Sequence, residues 1–513
     1  MNFWKRIAVT LPTAALLGAV LAVLTPSANF WLSLLAYGLV LWVSLFCLGS
    51  AWQFNGGGRA LGLLIVLAFG LRLVLGVGLS LALPVAGYNQ PGQKAGYLFY
   101  DAFRRDQTAW DLAKSDKSLL SSFTEEFKTD QYGGLLALSA GLYRLVSPDA
   151  HRPWLVILAG AFLFALGVPF FYQALKTRWN SQIAALAAWI VVLYPDSLFF
   201  TASQMREPFM LGLTCLAFWA VVTWRNNWKR ALLIFLLSFA GMLLISTRVT
   251  AAVLGVLLVW FWLDEIIPRW EVRNQIWGWI ALLGGTLLLV AASAQWLYSS
   301  AWWDMNVTVE NSGFLKTIIG QAADGIRIPI IVMYGLTQPV LPAAIAEPSI
   351  ALWKTIVLLR SIGWYGFVPI LLYGLAGVWR VKPARERRIF IWLLVVVFLW
   401  MVVASARGGG DLTDNPRYRT LFLPWMALLA AWGWQIFREH KDAWLWRVLA
   451  IEGIFLVFFT HMYLSRYFKL WAKLPFWTNV ICIVALSAAI VIGGLVWDFL
   501  LPRMRHKNPI NER

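Results

Sequence analysis

Uninterrupted apolar runs of about twenty residues recur from one end of this chain to the other, and that feature restricts it to one class of fold. A helical run of that length crosses a hydrocarbon core of about 30 Å, because each residue rises about 1.5 Å. In lipid every backbone N–H and C=O must find a partner within the protein, so a spanning chain is either helical or a closed barrel. Barrel strands would show alternating segments of about ten residues, and none are visible. The chain therefore reads as all-α, a polytopic transmembrane helical bundle. Its charged fraction of 13% agrees, since a soluble domain carries about twice that.

The span count is about 12–14. The segments lie near 8–25, 30–50, 61–83, 154–174, 182–200, 208–224, 230–246, 249–267, 276–297, 355–379, 389–405, 420–437, 444–464 and 476–500. Two places are irregular. The spans at 230 and 249 need a tight hairpin at Ser246–Arg248, and the segment at 355 is crossed by Arg360. Cys47, Cys215 and Cys482 all fall in apolar spans, as small buried hydrophobes rather than a disulfide framework or a metal site. The N-terminal run is longer than a usual signal-peptide core and reads as a retained first span.

Basic residues recur in alternate loops: Lys5 and Arg6, Arg59, Lys176 and Arg178, Arg225 to Arg230, Arg269 and Arg273, Arg380 to Arg388, Arg438 and Lys441, and the C-terminal cluster. That is the positive-inside pattern, with both termini cytoplasmic and an even number of spans. The net charge of +18 is then mostly topology and contact with anionic membrane lipids, not a nucleic-acid surface. The opposite loops, 86–153, 194–207, 298–350, 406–419 and 465–475, hold the unusual acidic and polar stretches. Within one membrane domain, 1–513, two external elaborations stand out: 86–153, with amphipathic and re-entrant helices, and 298–350. Polar groups gathered on one side favour a reaction at one membrane face over a transport path along the midplane.

In the first loop, Gly96–Ala113 places Tyr97, Tyr100, Ala109, Trp110 and Ala113 at roughly helical intervals, as an amphipathic helix on the membrane surface would. Asp101 and Asp106 are five residues apart and do not stack on one face. Either carboxylate can take a proton from an acceptor hydroxyl or coordinate a divalent cation. The plain alternative pairs both with Arg104 and Arg105. Further on, Asp130 and Tyr132 precede an apolar run, 135–146, too short to span, with Asp130 as a headgroup contact or simply an N-cap. Glu207–Pro208 is helix-start chemistry. Arg206 beside it, Arg248 between two spans, and Arg417 and Arg419 ahead of another all lie on the face that the charge rule leaves poor in cations. Binding an anionic headgroup explains them, as does snorkelling to ordinary lipid phosphate. His151 and His461 read as isolated.

The layout resembles the GT-C superfamily of integral membrane glycosyltransferases, in particular the bacterial group related to protein mannosyltransferases and lipid A aminoarabinose transferases. Asp106, Trp110 and Ala113 match the D-x-x-x-[YW]-x-x-A pattern of the family's first loop. Tyr132–Tyr143, Tyr194–Pro208 and Asn415–Pro424 are similar to its later segments. The chain lacks the adjacent Asp-Glu pair of that loop and a large soluble C-terminal domain. The resemblance implies a polyprenyl-phosphate sugar donor, inverting transfer on the external face of a bacterial inner or plasma membrane, and a carboxylate base. Asp106 is first choice for that base and Asp101 its rival, with Arg206, Arg248, Arg417 or Arg419 on the leaving phosphate. The family has metal-dependent and metal-independent members, which leaves a divalent cation open. The competing class is a transporter or flippase of lipid-linked saccharides, drawn from Arg72, Arg360 and Glu452 inside spans.

Overall fold

The computed structural model describes residues 3–25, 28–124, 127, 132–269, 276–281, 284, 324–409, 412–472 and 474–500. No strand occurs among them. The helices are α1 (Phe3–Val23), α2 (Phe30–Phe54), α3 (Arg59–Ala86), α4 (Pro91–Lys94), α5 (Tyr100–Lys114), α6 (Gly134–Val146), α7 (Trp154–Arg178), α8 (Ser181–Leu193), α9 (Pro195–Thr201), α10 (Glu207–Thr223), α11 (Trp228–Ile245) and α12 (Thr247–Phe261). The second half adds α13 (Asp324–Thr337), α14 (Leu341–Ala346), α15 (Ala351–Gly377), α16 (Ala384–Gly408), α17 (Asp414–Thr420), α18 (Leu423–His440), α19 (Trp444–Phe468) and α20 (Phe476–Leu495).

Ten of these are long and apolar enough to cross a membrane, or eleven if one bent pair counts as a span. This makes the chain an integral membrane protein, and ten or eleven of the 12–14 expected spans is the number found among the described residues. The segment expected at 208–224 is a helix of only 17 residues, α10. Most of 276–297 lies outside the described residues, as do 298–323 of the second external loop. The tight hairpin is present, with Ser246 alone between α11 and α12.

The expected span at 182–200 is instead two helices, α8 and α9, bent by 53°. Pro195 has no N–H to give the carbonyl of Val191, so the ladder breaks there. Arg72 of α3 fills the gap, donating to the carbonyls of Val191 and Val192 at 3.5 and 3.2 Å, to Ser197 Oγ at 3.0 Å and to Thr201 Oγ1 at 2.6 Å. Its guanidinium lies 3.5 Å from the centre of the Phe164 ring. A buried arginine is thus the cap of a broken helix.

At the centre, α7 packs against α2, α3, α8 and α10. It meets α10 where Gly167 faces Gly212: a methyl on Gly167 would lie 2.6 Å from the Gly212 carbonyl oxygen, so small residues are what let the backbones approach. A second group, α15, α16, α18 and α19, joins the first through α18 on α8 and α10. The loop 86–153 carries the two expected short helices. With 13 residues α6 extends about 20 Å and does not cross. Its N-cap is Gly133, at φ +74°, a left-handed conformation that glycine adopts freely. Asp130, expected at the start of this helix, lies outside the described residues.

Candidate functional site

Five of the residues singled out in the sequence meet at one place. The start of α5 brings Asp101, the start of α10 brings Arg206 and Glu207, α17 brings Arg417, and Tyr132 lies ahead of α6. Arg417 joins three of these elements. Its Nε donates to Glu207 Oε1 at 2.6 Å, and an NH group donates to Asp101 Oδ2 at 3.2 Å. Glu207 is fully buried, whereas the Asp101 side chain is 59% exposed. Arg206 sits 4.0 Å from Glu207, over the Tyr132 ring at 5.7 Å. Its side chain is only 12% exposed. Among the described residues it makes no side-chain hydrogen bond, its buried Nε having only the long ion pair with Glu207. Burial, and next the charge of Arg417, pull the Arg206 guanidinium below its ordinary value, with Glu207 opposing and Arg105 adding to the fall. Crowded cations beside an accessible carboxylate make a place for an oxyanion, because guanidinium forks match phosphate oxygens.

Asp106 is on the same helix and in a different environment. It is 2% exposed. Oδ2 accepts the Tyr97 hydroxyl at 2.5 Å and lies 2.9 Å from His151 Nε2, while Oδ1 accepts the Tyr143 hydroxyl. Burial, and then Asp106 itself, hold both tyrosines well above the usual phenol range, so they stay protonated as donors. Trp110 stacks on His151 at 5.1 Å and meets Tyr143 edge-on. The Asp106, Trp110, Ala113 pattern thus faces inward and ties α5 to α6 and to the start of α7. The bonds of Asp101 run to Arg417 and those of Asp106 to Tyr97, Tyr143 and His151, so His151 is not isolated.

Arg419 belongs to a third network. Asp196 of α9 receives Arg360 Nε at 2.6 Å and the Tyr194 hydroxyl at 3.1 Å, with Arg419 at 3.8 Å. Arg419 also donates to the Gln338 carbonyl at 2.9 Å and lies 3.3 Å from the Trp364 ring centre. Arg248 is half-buried in the first turn of α12, and the bonds that unite Arg417, Glu207 and Asp101 do not include it.

The sequence reading missed Arg105, which is buried, donates to the Gln204 carbonyl at 3.2 Å and adds its charge near Arg206. Its spacing of four from Asp101 on a helix was the available signal. It also missed Tyr97, Tyr143 and His151 as partners of Asp106, which no local pattern marks. Among the described residues, no group of three or more His, Cys, Asp or Glu side chains is placed to hold a metal ion.

The fold defines a polytopic, all-helical integral membrane protein, and the site a cluster of arginines and carboxylates at one end of its bundle. Compared with protein-family models, with curated proteins and with solved structures, the chain matches none.

Proposed function

We infer that the chain is a GT-C-like membrane glycosyltransferase, moving a sugar from a polyprenyl-phosphate donor to an acceptor hydroxyl at the external face with inversion. The observation that carries this is Arg206: mostly buried, without a side-chain hydrogen bond among the described residues, within the field of Arg105 and of Arg417, which in turn holds the reachable carboxylate of Asp101. Asp101 takes the proton of the acceptor hydroxyl as its oxygen attacks the anomeric carbon. The bond from that carbon to the phosphate oxygen breaks, and its electrons stay on the phosphate, held by Arg206 and Arg417. Asp101 is favoured over Asp106 as the base because both oxygens of Asp106 are occupied by internal donors. Asp106 then positions α5.

The transport reading rested on charges inside spans. Arg72 caps the break between α8 and α9, and Arg360 pairs with Asp196, so two of them are employed in holding the fold.

Purified protein given labelled polyprenyl-phosphate sugars tests the reading. Arg206→Gln should weaken donor use about ten- to hundredfold, the worth of charge-assisted hydrogen bonds of about 1.5–3 kcal/mol, with unchanged thermal unfolding. No transfer to any acceptor by wild type, together with lipid-linked sugar flipping in proteoliposomes, would replace it with transport.

The orientation is part of this proposal. In a cysteine-free background, a cysteine at Ser118 should react with an impermeant reagent in intact cells and one at Ala384 should not, because the basic stretch Arg380–Arg388 belongs inside. The reverse pattern would put the site on the cytoplasmic face.

A further inference from the structure

The other end of the bundle holds a cavity of about 700 Å³, between the C-terminal ends of α7, α15 and α18 and the first turn of α16. The 18 residues of α18 separate it from Arg417 by about 27 Å along the helix, so it is no part of the site above. Part of its lining is polar and internally bonded. Asn180 donates to Gln435 at 2.9 Å, Gln435 donates to Glu439 at 2.7 Å, and Glu386 receives Arg178 at 2.7 Å and the Trp179 indole at 3.1 Å. Both acids of the lining, the partly buried Glu386 and the exposed Glu439, are therefore engaged by the protein. The rim is different. Lys382 is exposed and makes no hydrogen bond or ion pair among the described residues. Arg380, on the cavity lining, reaches Asp442 through Nε at 3.1 Å and the Ala376 carbonyl through one NH group, and its second NH group has no partner among the described residues. Trp379 is 76% exposed between the wall and the surroundings.

We propose that this cavity binds the phosphodiester headgroup of an anionic, hydroxyl-bearing phospholipid of the phosphatidylglycerol type. The cavity lies where α7, α15 and α18 end and α16 begins, and the ends of a membrane-spanning bundle are where headgroups lie. Exposed indole at that level is an interfacial anchor, and basic pockets between helix ends take anionic headgroups. Lys382 and Arg380 face the phosphate. The Asn180, Gln435 and Glu439 chain offers amide and carboxylate groups to the glycerol hydroxyls, a match that a choline headgroup lacks. The inference rests on this end of the bundle alone and stands or falls apart from the transfer chemistry.

The test uses the full chain purified in detergent and in nanodiscs. Native mass spectrometry and thermal unfolding are measured with phosphatidylglycerol, phosphatidylcholine and phosphatidylserine, and with soluble glycerol phosphate. Phosphatidylglycerol should bind saturably and raise the unfolding temperature. Lys382→Gln should weaken that binding about fivefold, and Arg380→Gln with Lys382→Gln about tenfold or more, given about 1 kcal/mol per basic residue near a lipid surface. Lys229→Gln with Arg230→Gln, elsewhere on the same side, should leave it unchanged. Because Arg380 has a structural partner, Lys382→Gln alone is the deciding variant. Equal binding of phosphatidylcholine, equal loss in the Lys229 and Arg230 control, or binding untouched by Lys382→Gln would each overturn the proposal. Tighter binding of soluble glycerol phosphate than of the lipid would overturn the lipid source.

Discussion

Asp101→Asn is expected to lower transfer by about 10²- to 10⁴-fold, the range that a positioned general base supplies. The substitution also removes the ion pair with Arg417, but that pair is open to solvent on the aspartate side, where such contacts contribute about 0–1 kcal/mol. Loss of folding is therefore the smaller effect, and thermal unfolding should barely move. The asparagine keeps the shape and the polar contact and loses only the ability to take a proton. Asp106→Asn gives the contrasting profile: it disturbs the acceptor of two tyrosine hydroxyls and a histidine, so unfolding temperature and activity should fall together. Full activity in Asp101→Asn, with an inactive but normally folded Asp106→Asn, would transfer the role of base to Asp106.

The second large effect is on stability. Asp196→Ala should destabilise the protein by about 3–5 kcal/mol, because it strands buried cations rather than merely deleting a bond. Arg360 and Arg419 are 2% and 1% exposed, and Asp196 is the carboxylate that faces both. Arg360 also donates to the carbonyl of Leu412 and Arg419 to that of Gln338, neutral acceptors that bind a guanidinium without cancelling its charge. Removing a charge together with its partner costs less than removing the partner alone, so Asp196→Ala with Arg360→Met should be more stable than Asp196→Ala by itself. Unfolding in a denaturing-detergent titration reads both variants. A single variant as stable as wild type would mean that water or lipid, not Asp196, compensates these arginines.

The two networks also show how far local pattern reaches. At about 100° per residue, two residues on one helix that are five apart point about 140° from each other. That already separates Asp101 from Asp106, and it does not say which of them faces outward. The resemblance favoured Asp106, the residue that packing buries under Tyr97, Tyr143 and His151. Arg417 and Arg419 looked alike in the sequence as arginines ahead of a span. They point about 160° apart on α17, so one meets Glu207 and Asp101 while the other meets Asp196 and Trp364. The break at Pro195 was readable as a proline in an apolar run. Its depth was not, because Arg72, more than a hundred positions earlier, supplies the bonds that let the broken ends stay buried.

Sequence by itself determined that this chain is helical, that it is built for a membrane, and where most of its helices begin and end, because apolar run length and helix-stopping residues act over a few turns. It also isolated the segments from which Asp101, Arg206, Glu207 and Arg417 come. Only the tertiary structure decided that these four meet, since Arg417 is 210 residues from Glu207 and 316 from Asp101. Which acid an arginine finds depends on how distant helices cross, and at this site that crossing leaves Arg206, beside Glu207, without a side-chain hydrogen bond among the described residues.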